Sequence, residues 1–177
     1  AQESRGLGDV YKRQVLTGAS TAPELDGALA KVDGMSLRLP FQTDPDARQR
    51  INDGRMEYID AHLSHVAQHT WFGFYGDIDT AVVEVSAIRE DGLLVPSTSV
   101  GNNKTWLDLA RRVIIEVNEW QPAGVDGMHD IYYGTALPPH RKPIPLSHAA
   151  DRIGDRYLRV DPAKVCLLYT SPSPRDS

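Results

Sequence analysis

Val113-Ile114-Ile115-Glu116-Val117 is the stretch of sequence that decides the fold. It is apolar and β-branched apart from Glu116, which is typical of a strand buried on both faces. Residues 81–85 (Ala-Val-Val-Glu-Val) form a second stretch of the same kind. A helical pattern at residues 104–112 lies between the two. Apolar strands that alternate with helices predict an α/β fold with an open, mostly parallel sheet.

The remaining elements continue this alternation. On a helix that begins at Pro23, the apolar residues Leu25, Ala28, Leu29 and Val32 share one face. The other predicted elements are a strand at 15–17, a helix from Pro45 to Gly54, a strand at 56–59, a turn at Asp91-Gly92 with a strand at 93–95, a Gly- and Pro-rich stretch at 118–145, a helix at 147–153 and a strand at 157–160.

Composition excludes several classes of protein. The 177 residues fit one domain, and the net charge of -5 gives no basic surface for nucleic acid. No apolar run is long enough to span a membrane, and the N-terminus has no signal-peptide pattern. The single cysteine excludes an internal disulfide framework. We therefore expect a cytoplasmic protein, or a mitochondrial one in a eukaryote.

The two ends of the chain are related to each other through their coding sequence. One permitted set of codons for residues 4–14 has a reverse complement that, one base out of frame, encodes residues 166–175. This DNA resembles the transposase-end adapters of sequencing libraries. We therefore expect residues 1–14 and 166–177 to be non-native, which leaves residues 15–165 as a natural segment and makes Cys166 foreign to it.

His62, His65 and His69 would share one face of a helix. Convergent histidines can bind a metal ion, but the run contains no carboxylate and no second cluster supplies a further ligand. Structural histidines are therefore favoured, and a substrate-contacting role for His62 or Ser64 stays open. A serine nucleophile would need a sharp Gly-x-Ser-x-Gly elbow, which the chain lacks. We expect no metal site.

Two further features could have chemical roles. The stretch 100–103 (Val-Gly-Asn-Asn) precedes a helix, where free backbone amides attract anions, although an ordinary capped loop fits equally well. Glu84 and Glu116 each interrupt an apolar strand, where a carboxylate is costly unless it is paired. A position at a sheet edge, or pairing with a nearby arginine such as Arg111 or Arg112, is favoured over a functional role with a raised pKa.

Several stretches together resemble the acetyl-CoA hydrolase/transferase family, within the class I CoA-transferases. The resemblance spans nearly all of residues 15–165 and keeps the family's order. The stretches that carry it are 17–20 (Thr-Gly-Ala-Ser), 38–42, 58–64 (Tyr-Ile-Asp-Ala-His-Leu-Ser), 73–79, 100–102, 114–118, 127–132 (Gly-Met-His-Asp-Ile-Tyr), Pro139, Arg141, 144–145, 152–154 and 161–162.

The resemblance implies an enzyme with two similar α/β halves and an active site between them. Such an enzyme moves coenzyme A from an acyl-CoA to a carboxylate such as acetate or succinate, or to water, through a glutamate nucleophile. That glutamate follows a Ser-Gly-x-Gly-Asn stretch, which does not occur here. The chain is therefore expected to be an incomplete N-terminal half without catalytic residues. The full-length enzyme is expected to be a homodimer that needs no cofactor beyond its CoA substrate.

The substrate-binding residues are expected in loops that follow strand ends, because ligands of open α/β sheets gather beyond the carboxyl ends of the strands. Transfer, hydrolysis and a non-catalytic ligand-binding role all remain open from the sequence. The residues expected to face the ligand are Gly18, Ser20, His62, Ser64, Ser99, Gly101, Asn102 and Asn118.

Overall fold

A computed structural model describes residues 13–17, 23–32, 35–39, 42–134, 136–144 and 146–171. The chain divides into two compact units, Ala1–Val66 and Ala67–Ser177. Each unit has its own sheet, and the strands within each sheet are mostly parallel. The predicted α/β class is therefore confirmed. None of the helices within the described ranges is long and apolar enough to cross a membrane.

The first unit has a sheet of three parallel strands in the order β1-β2-β3. Two helices connect these strands, and a third follows the last strand and continues into the second unit. The elements are β1 (Arg13–Leu16), α1 (Pro23–Ala30), β2 (Met35–Leu39), α2 (Pro45–Asn52), β3 (Glu57–Tyr58) and α3 (Leu63–Trp71).

The start of α2 follows from its sequence. A carboxylate oxygen of Asp44 accepts the backbone N–H of Ala47 at 2.9 Å, and Pro45 occupies the start of the helix, where its missing N–H costs nothing. Gly54 follows the helix with a φ of 71°, a backbone conformation that favours glycine. The predicted helix from Pro45 to Gly54 is confirmed to within two residues at its end.

The four apolar residues that were expected to share one face of α1 do not form its buried side. Leu25 is 47% exposed and Val32 is 53% exposed, whereas Asp26 is only 1% exposed. The reason is Arg38 on β2, which is 2% exposed and donates a hydrogen bond from Nε to Asp26 at 3.1 Å. A buried guanidinium requires a carboxylate partner, so α1 turns its acidic residue inward.

The second unit has a sheet of four strands in the order β5-β4-β6-β7. β6 pairs in parallel with both β4 and β7, while β5 is antiparallel to β4. The elements are β4 (Thr80–Ile88), β5 (Leu94–Pro96), α4 (Asn103–Leu109), β6 (Arg112–Asn118) and β7 (Val165–Ser171).

One face of this sheet forms the core of the unit. Val83 of β4 pairs with Ile115 of β6, and these side chains are 1% and 2% exposed. On the opposite face Val82 is 64% exposed. Burying a valine or isoleucine side chain contributes about 1.5–3 kcal/mol, so this inner row carries much of the unit's stability. The prediction of strands buried on both faces therefore holds for one face only.

The turn between β4 and β5 forms as predicted. Gly92 has a φ of 79°, and the backbone N–H of Arg89 donates to the carbonyl of Leu93 at 2.9 Å. Because the loop is short, β5 has to return antiparallel to β4. α4 also forms, with Trp106 and Leu107 buried, but it ends at Leu109 and not at Arg112, which is the first residue of β6.

The connecting segment (residues 119–164) differs most from expectation. No helix forms at 147–153, where a carboxylate oxygen of Asp151 accepts the backbone amides of Ser147 and His148 instead. The strand predicted at 157–160 is reduced to a single bridge between Leu158 and Leu94. Such local hydrogen bonds of an aspartate also stabilise a non-helical turn, which gives this segment an alternative to the helix.

Side chains and close backbone approaches order this connecting segment. The carboxylate of Asp130 accepts the amides of Ile153 at 2.9 Å and Gly154 at 2.7 Å. Arg152 donates to the carbonyls of His129 at 2.8 Å and Gly127 at 3.3 Å. A Cβ atom at Gly154 would lie 1.7 Å from the Ile131 carbonyl oxygen, so only glycine fits there.

β7 is held mainly through its backbone. Its residues pair with β6 from Val113 to Asn118, yet Leu167, Leu168 and Tyr169 are 52%, 56% and 54% exposed. β7 lies almost wholly in the segment 166–177, and β1 begins at Arg13 inside the segment 1–14. The pairing shows that strands form in both segments. Their non-native origin stays a prediction.

We expect a substitution in the buried inner row of β6 to cost much more stability than one in the exposed strand β7. Ile115 and Leu168 are direct partners on β6 and β7. Ile115→Ala should lower the free energy of unfolding by about 2–5 kcal/mol, because it removes buried methyl groups and leaves a cavity. Leu168→Ala should change it by about 0.5 kcal/mol or less, because the side chain is exposed. Urea unfolding followed by circular dichroism measures both, and equal losses would contradict this description of β7.

Asp130 should make the connecting segment sensitive to acid. Hydrogen bonds from the Ile153 and Gly154 amides hold the pKa of Asp130 below its ordinary value. A lowered pKa stabilises the folded segment above the unfolded pKa of about 3.9, and this stabilisation is lost as the pH falls through the folded pKa.

Asp130→Asn should therefore speed amide exchange at residues 152–156 at neutral pH. The difference from the unchanged protein should begin to shrink below about pH 4 and should vanish once the pH is below the lowered pKa, where the carboxylate of the latter is protonated too. Hydrogen exchange measured at several pH values tests this. A difference that stays constant with pH would show that charge on Asp130 has no part in holding the segment.

Candidate functional site

The carboxyl ends of β1 and β2 are tied together by Arg38. Its guanidinium donates to the Thr17 hydroxyl at 3.1 Å and to the Val15 carbonyl at 3.4 Å, in addition to its ion pair with Asp26. Thr17 in turn donates from its backbone to the Leu39 carbonyl at 3.2 Å. Arg38 thus fixes the point from which the chain leaves β1. The predicted residues Gly18 and Ser20 come directly after this point and lie outside the described residues.

His62 and Ser64 lie together at the start of α3, and both are exposed. The Ser64 hydroxyl and Nδ1 of His62 are 3.2 Å apart, and the rings of His62 and His65 are 5.6 Å apart. His69 is directed elsewhere, because its Nδ1 lies 3.0 Å from the Tyr75 hydroxyl. Among the described residues no group of three histidine, cysteine or acidic side chains could hold a metal ion.

The substrate loop (residues 97–102) joins β5 to α4 and contains the predicted residues Ser99, Gly101 and Asn102. Gly101 has a φ of 48°, and the backbone N–H of Asn103 donates to the Val100 carbonyl at 3.0 Å, so the chain turns sharply before the helix. Asn102, not Asn103, occupies the cap position, and its side chain makes no capping hydrogen bond. The first amides of α4 therefore receive no acceptor from the cap residue.

Asn118 ends β6 and contacts the neighbouring strand. Its side-chain amide donates to Glu84 at 3.2 Å. Asn118 is the last residue of a parallel strand, whereas the substrate loop follows the antiparallel β5. Within the second unit, the rule for parallel strands therefore applies directly to Asn118 and not to the substrate loop. Asn118 is thus hydrogen-bonded to β4, and Ser99, Gly101 and Asn102 lie together in one loop. His62 and Ser64 contact each other in the first unit.

Glu84 and Glu116 are direct partners on adjacent strands, and both are half-buried. Glu84 accepts the amide of Asn118, and Glu116 accepts the hydroxyl of Ser171. The predicted pairing with Arg111 or Arg112 is wrong. Parallel register puts the two glutamates on the outer face, while both arginines lie at the opposite end of β6.

Arg111 and Arg112 pair instead with Asp77 and Asp79 before β4. The Arg112–Asp79 ion pair joins Nη2 and Oδ2 at 2.6 Å, and the hydrogen bond from Arg112 holds the pKa of Asp79 below its ordinary value. These pairs lie at the amino end of the sheet. Both side chains of each pair are well exposed, so the pairs contribute little to stability. Their positive charge is already matched by a carboxylate.

Lys104 is a functional candidate that the sequence analysis missed. Its ammonium group lies 5.4 Å from the ring centres of both Trp71 and Tyr133, and 2.6 Å from a carboxylate oxygen of Asp108. Burial raises the pKa of Tyr133, which also accepts the backbone N–H of Arg159. The only sequence signal was the position of Lys104 directly after the substrate loop, because its aromatic partners come from distant parts of the chain.

A shallow depression of about 370 Å³ lies at the turn between β4 and β5 and is lined by Arg89, Glu90 and Asp91. None of the predicted residues lines it. The Arg89 guanidinium stacks 4.6 Å from the ring centre of Tyr157 and lies 3.7 Å from Asp126. Its charge is thus already compensated, and the depression offers no strong site for an anion.

Comparison with known proteins shows which family this chain resembles. Residues 3–168 match the family model for the acetyl-CoA hydrolase/transferase N-terminal domain, a range that includes parts of both terminal segments. The chain is 41% identical to succinyl-CoA:acetate CoA-transferase of Clostridium kluyveri, over 92% of this chain and 30% of the relative. It is 40% identical to propanoyl-CoA:succinate CoA transferase of Escherichia coli, over 98% of this chain and 35% of the relative.

Hydrolases are among the relatives as well. Acetyl-CoA hydrolase of Schizosaccharomyces pombe is 37% identical over 92% of this chain and 32% of the relative. The chain thus spans about a third of the length of the relatives it matches. The match covers both units described above, from β1 into β7. The chain therefore belongs to the acetyl-CoA hydrolase/transferase family, as part of its N-terminal domain.

Proposed function

We propose that this chain is part of a longer enzyme that transfers coenzyme A between an acyl-CoA, such as acetyl-CoA or succinyl-CoA, and a small carboxylate such as acetate or succinate. The observation that carries the proposal is its likeness to two proteins named as CoA transferases, at 41% and 40% identity. The three-stranded and four-stranded sheets supply an α/β scaffold with loops at strand ends.

The chemistry we propose for the whole enzyme has two half-reactions of two steps each: formation of an enzyme-CoA thioester, and transfer of CoA from it to the acceptor. A glutamate carboxylate attacks the thioester carbonyl and expels CoA as a thiolate, which leaves a mixed anhydride. The thiolate then attacks the glutamyl carbonyl, breaks the anhydride and releases the first carboxylate. The resulting glutamyl-CoA thioester reacts with the acceptor carboxylate by the reverse steps. Splitting the exchange into easier steps is the usual advantage of covalent catalysis.

The nucleophile is proposed to lie outside this chain. Glu84 and Glu116 are the half-buried glutamates of the sheet, and each accepts a hydrogen bond from a neighbouring side chain. Such hydrogen bonds stabilise the carboxylate and reduce its tendency to attack. Neither residue follows the Ser-Gly-x-Gly-Asn stretch that the family resemblance calls for. We assign both glutamates to the structure of the sheet.

The role of this chain is then to bind the substrate through loop amides. CoA is an anion, yet the chain has a net charge of -5, and Arg89, Arg111 and Arg112 are paired with carboxylates. Backbone amides near Gly101, where the Asn102 side chain does not cap the helix, are suited to an anionic group without a basic surface. The residues proposed to face substrate remain Gly18, Ser20, His62, Ser64, Ser99, Gly101, Asn102 and Asn118.

Two other functions fit the same fold. Acetyl-CoA hydrolases are 34–38% identical to this chain, so water could replace the acceptor carboxylate. A non-catalytic ligand-binding domain would need the longer protein to lack the nucleophilic glutamate. We further propose that the full-length enzyme is a homodimer, that it needs no cofactor beyond its CoA substrate, and that it works in the cytoplasm, or in the mitochondrion of a eukaryote.

The full reading frame provides the decisive assay. The full-length protein with succinyl-CoA should form acetyl-CoA when acetate is added, faster than it releases free thiol. A carboxylate acceptor should outcompete water because it is bound next to the enzyme thioester. Chromatography of the CoA species measures transfer, and a thiol reagent measures hydrolysis. Thiol release at the same rate with and without acetate would favour the hydrolase, and a reading frame without the second half would favour the binding domain.

The 177-residue chain alone should show no turnover of acetyl-CoA or succinyl-CoA above the rate without protein. The reason is that the proposed nucleophile lies outside it. Glu116→Gln is the matched variant, because it keeps the side-chain length and removes the charge. Thioester exchange that the chain accelerates and that Glu116→Gln abolishes would place the nucleophile on β6 and contradict the assignment above.

A further inference from the structure

Three side chains of the connecting segment reach the stretch that starts at the substrate loop and ends with α4. His129 Nε2 lies 2.7 Å from the Ser97 carbonyl oxygen. The Tyr133 ring lies 5.4 Å from the Lys104 ammonium group. Lys164 Nζ donates to the Asp108 carbonyl at 2.8 Å, next to the end of α4. The start of the loop, the start of the helix and its end each receive one contact.

His129 makes the contact closest to the loop. A carbonyl oxygen only accepts hydrogen bonds, so Nε2 of His129 carries the proton. Nδ1 is buried without a hydrogen-bond partner among the described residues. Among the described residues the ring therefore makes a single hydrogen bond, and that bond ends on the Ser97 carbonyl.

The backbone of His129 is itself held in place. Arg152 donates to the His129 carbonyl at 2.8 Å, and the neighbouring Asp130 binds two amides of the same turn. Ile131 and Asp155 exchange backbone hydrogen bonds of 2.6 and 2.8 Å. His129 thus projects from an ordered turn and can act as a fixed support.

Ser97 is the residue at which β5 becomes the substrate loop, and it is only 6% exposed. Three residues later, the Val100 carbonyl accepts the Asn103 amide and closes the turn around Gly101. The position of Ser97 therefore sets the path of the backbone into Gly101 and Asn102. A support that fixes the Ser97 carbonyl fixes the approach of the amides that would meet a ligand.

We propose that His129 is a positioning residue for the substrate loop: through its Nε2 hydrogen bond to Ser97 it holds residues 98–102 in the conformation that receives the anionic substrate. His129 acts through the loop and does not touch the substrate. The loop's role in substrate binding rests on the proposed function, whereas its ordering by His129 does not.

The test compares three variants of the 177-residue chain. His129→Leu removes the donor and keeps an apolar side chain. His129→Gln keeps an N–H donor that can reach the Ser97 carbonyl. His140→Leu is the control, because His140 is an exposed histidine of the same connecting segment. Amide hydrogen exchange at residues 98–104 reports the order of the loop, and NMR titration with CoA reports binding.

We expect His129→Leu to speed exchange at residues 98–104 about two- to tenfold, which corresponds to one net hydrogen bond, and to weaken CoA binding by a similar factor. His129→Gln should restore both values, and His140→Leu should change neither. Amides of β4 and β6 should keep their protection in every variant. If His129→Leu does not fold, His129→Phe replaces it, since phenylalanine retains a ring and lacks the donor.

Unchanged loop exchange in His129→Leu would overturn the proposal. Faster exchange throughout β4 and β6, or failure of His129→Gln to restore the loop, would also overturn it, because His129 would then serve only general stability. If the loop loosens as expected while CoA perturbs none of residues 98–104 in the unchanged chain, His129 still orders the loop. In that outcome the assignment of substrate binding to the loop fails instead.

Discussion

The parallel pairing of β4 with β6 is the interaction on which the second unit depends. Six consecutive residue pairs, from Thr80 with Arg112 to Val85 with Val117, keep one register without a bulge. In this register Val83 lies opposite Ile115 on the inner face, and both side chains are almost fully buried, as are those of Val85 and Val113. A shift of either strand by one residue would turn its own glutamate, Glu84 or Glu116, into the core, where an unpaired carboxylate is costly. The hydrophobic pattern therefore specifies the register, and the register determines where each strand ends.

The same register explains the polar outer face. Glu84 and Glu116 become neighbours because they occupy equivalent positions on two parallel strands, and Asn118 reaches Glu84 because it follows Glu116 by two residues. A cross-strand donor of this kind lessens the repulsion between like charges. The arginines that could have neutralised the glutamates lie at the other end of the sheet, where Asp77 and Asp79 hold them.

The connecting segment shows how a chain without regular structure supports a loop. The Asp130 carboxylate and the Arg152 guanidinium form hydrogen bonds with its backbone groups. Ile131 and Asp155 also form backbone hydrogen bonds with each other. Gly154 allows two backbones to meet where any side chain would collide. The segment thus provides a support for the substrate loop and α4 that a helix of the same length would not, since a helix directs its amides along its own axis.

The sequence by itself determined the α/β class, the strands β4 and β6, the turn at Gly92 and the helices α2 and α4, because hydrophobic period, turn residues and caps act over a few neighbouring residues. It also predicted candidate site residues in loops after strand ends, but Ser64 lies in the first turn of α3 and Asn118 is the last residue of β6. Only the tertiary structure decided that α1 buries Asp26, that Glu84 and Glu116 meet, and that His129 reaches Ser97. Each of these contacts joins residues far apart in the chain, and Arg38, which reverses the expected face of α1, lies twelve residues from Asp26. A local sequence pattern does not specify which distant residue will become a partner. Burial of charge and long-range hydrogen bonds are therefore determined only by the tertiary structure.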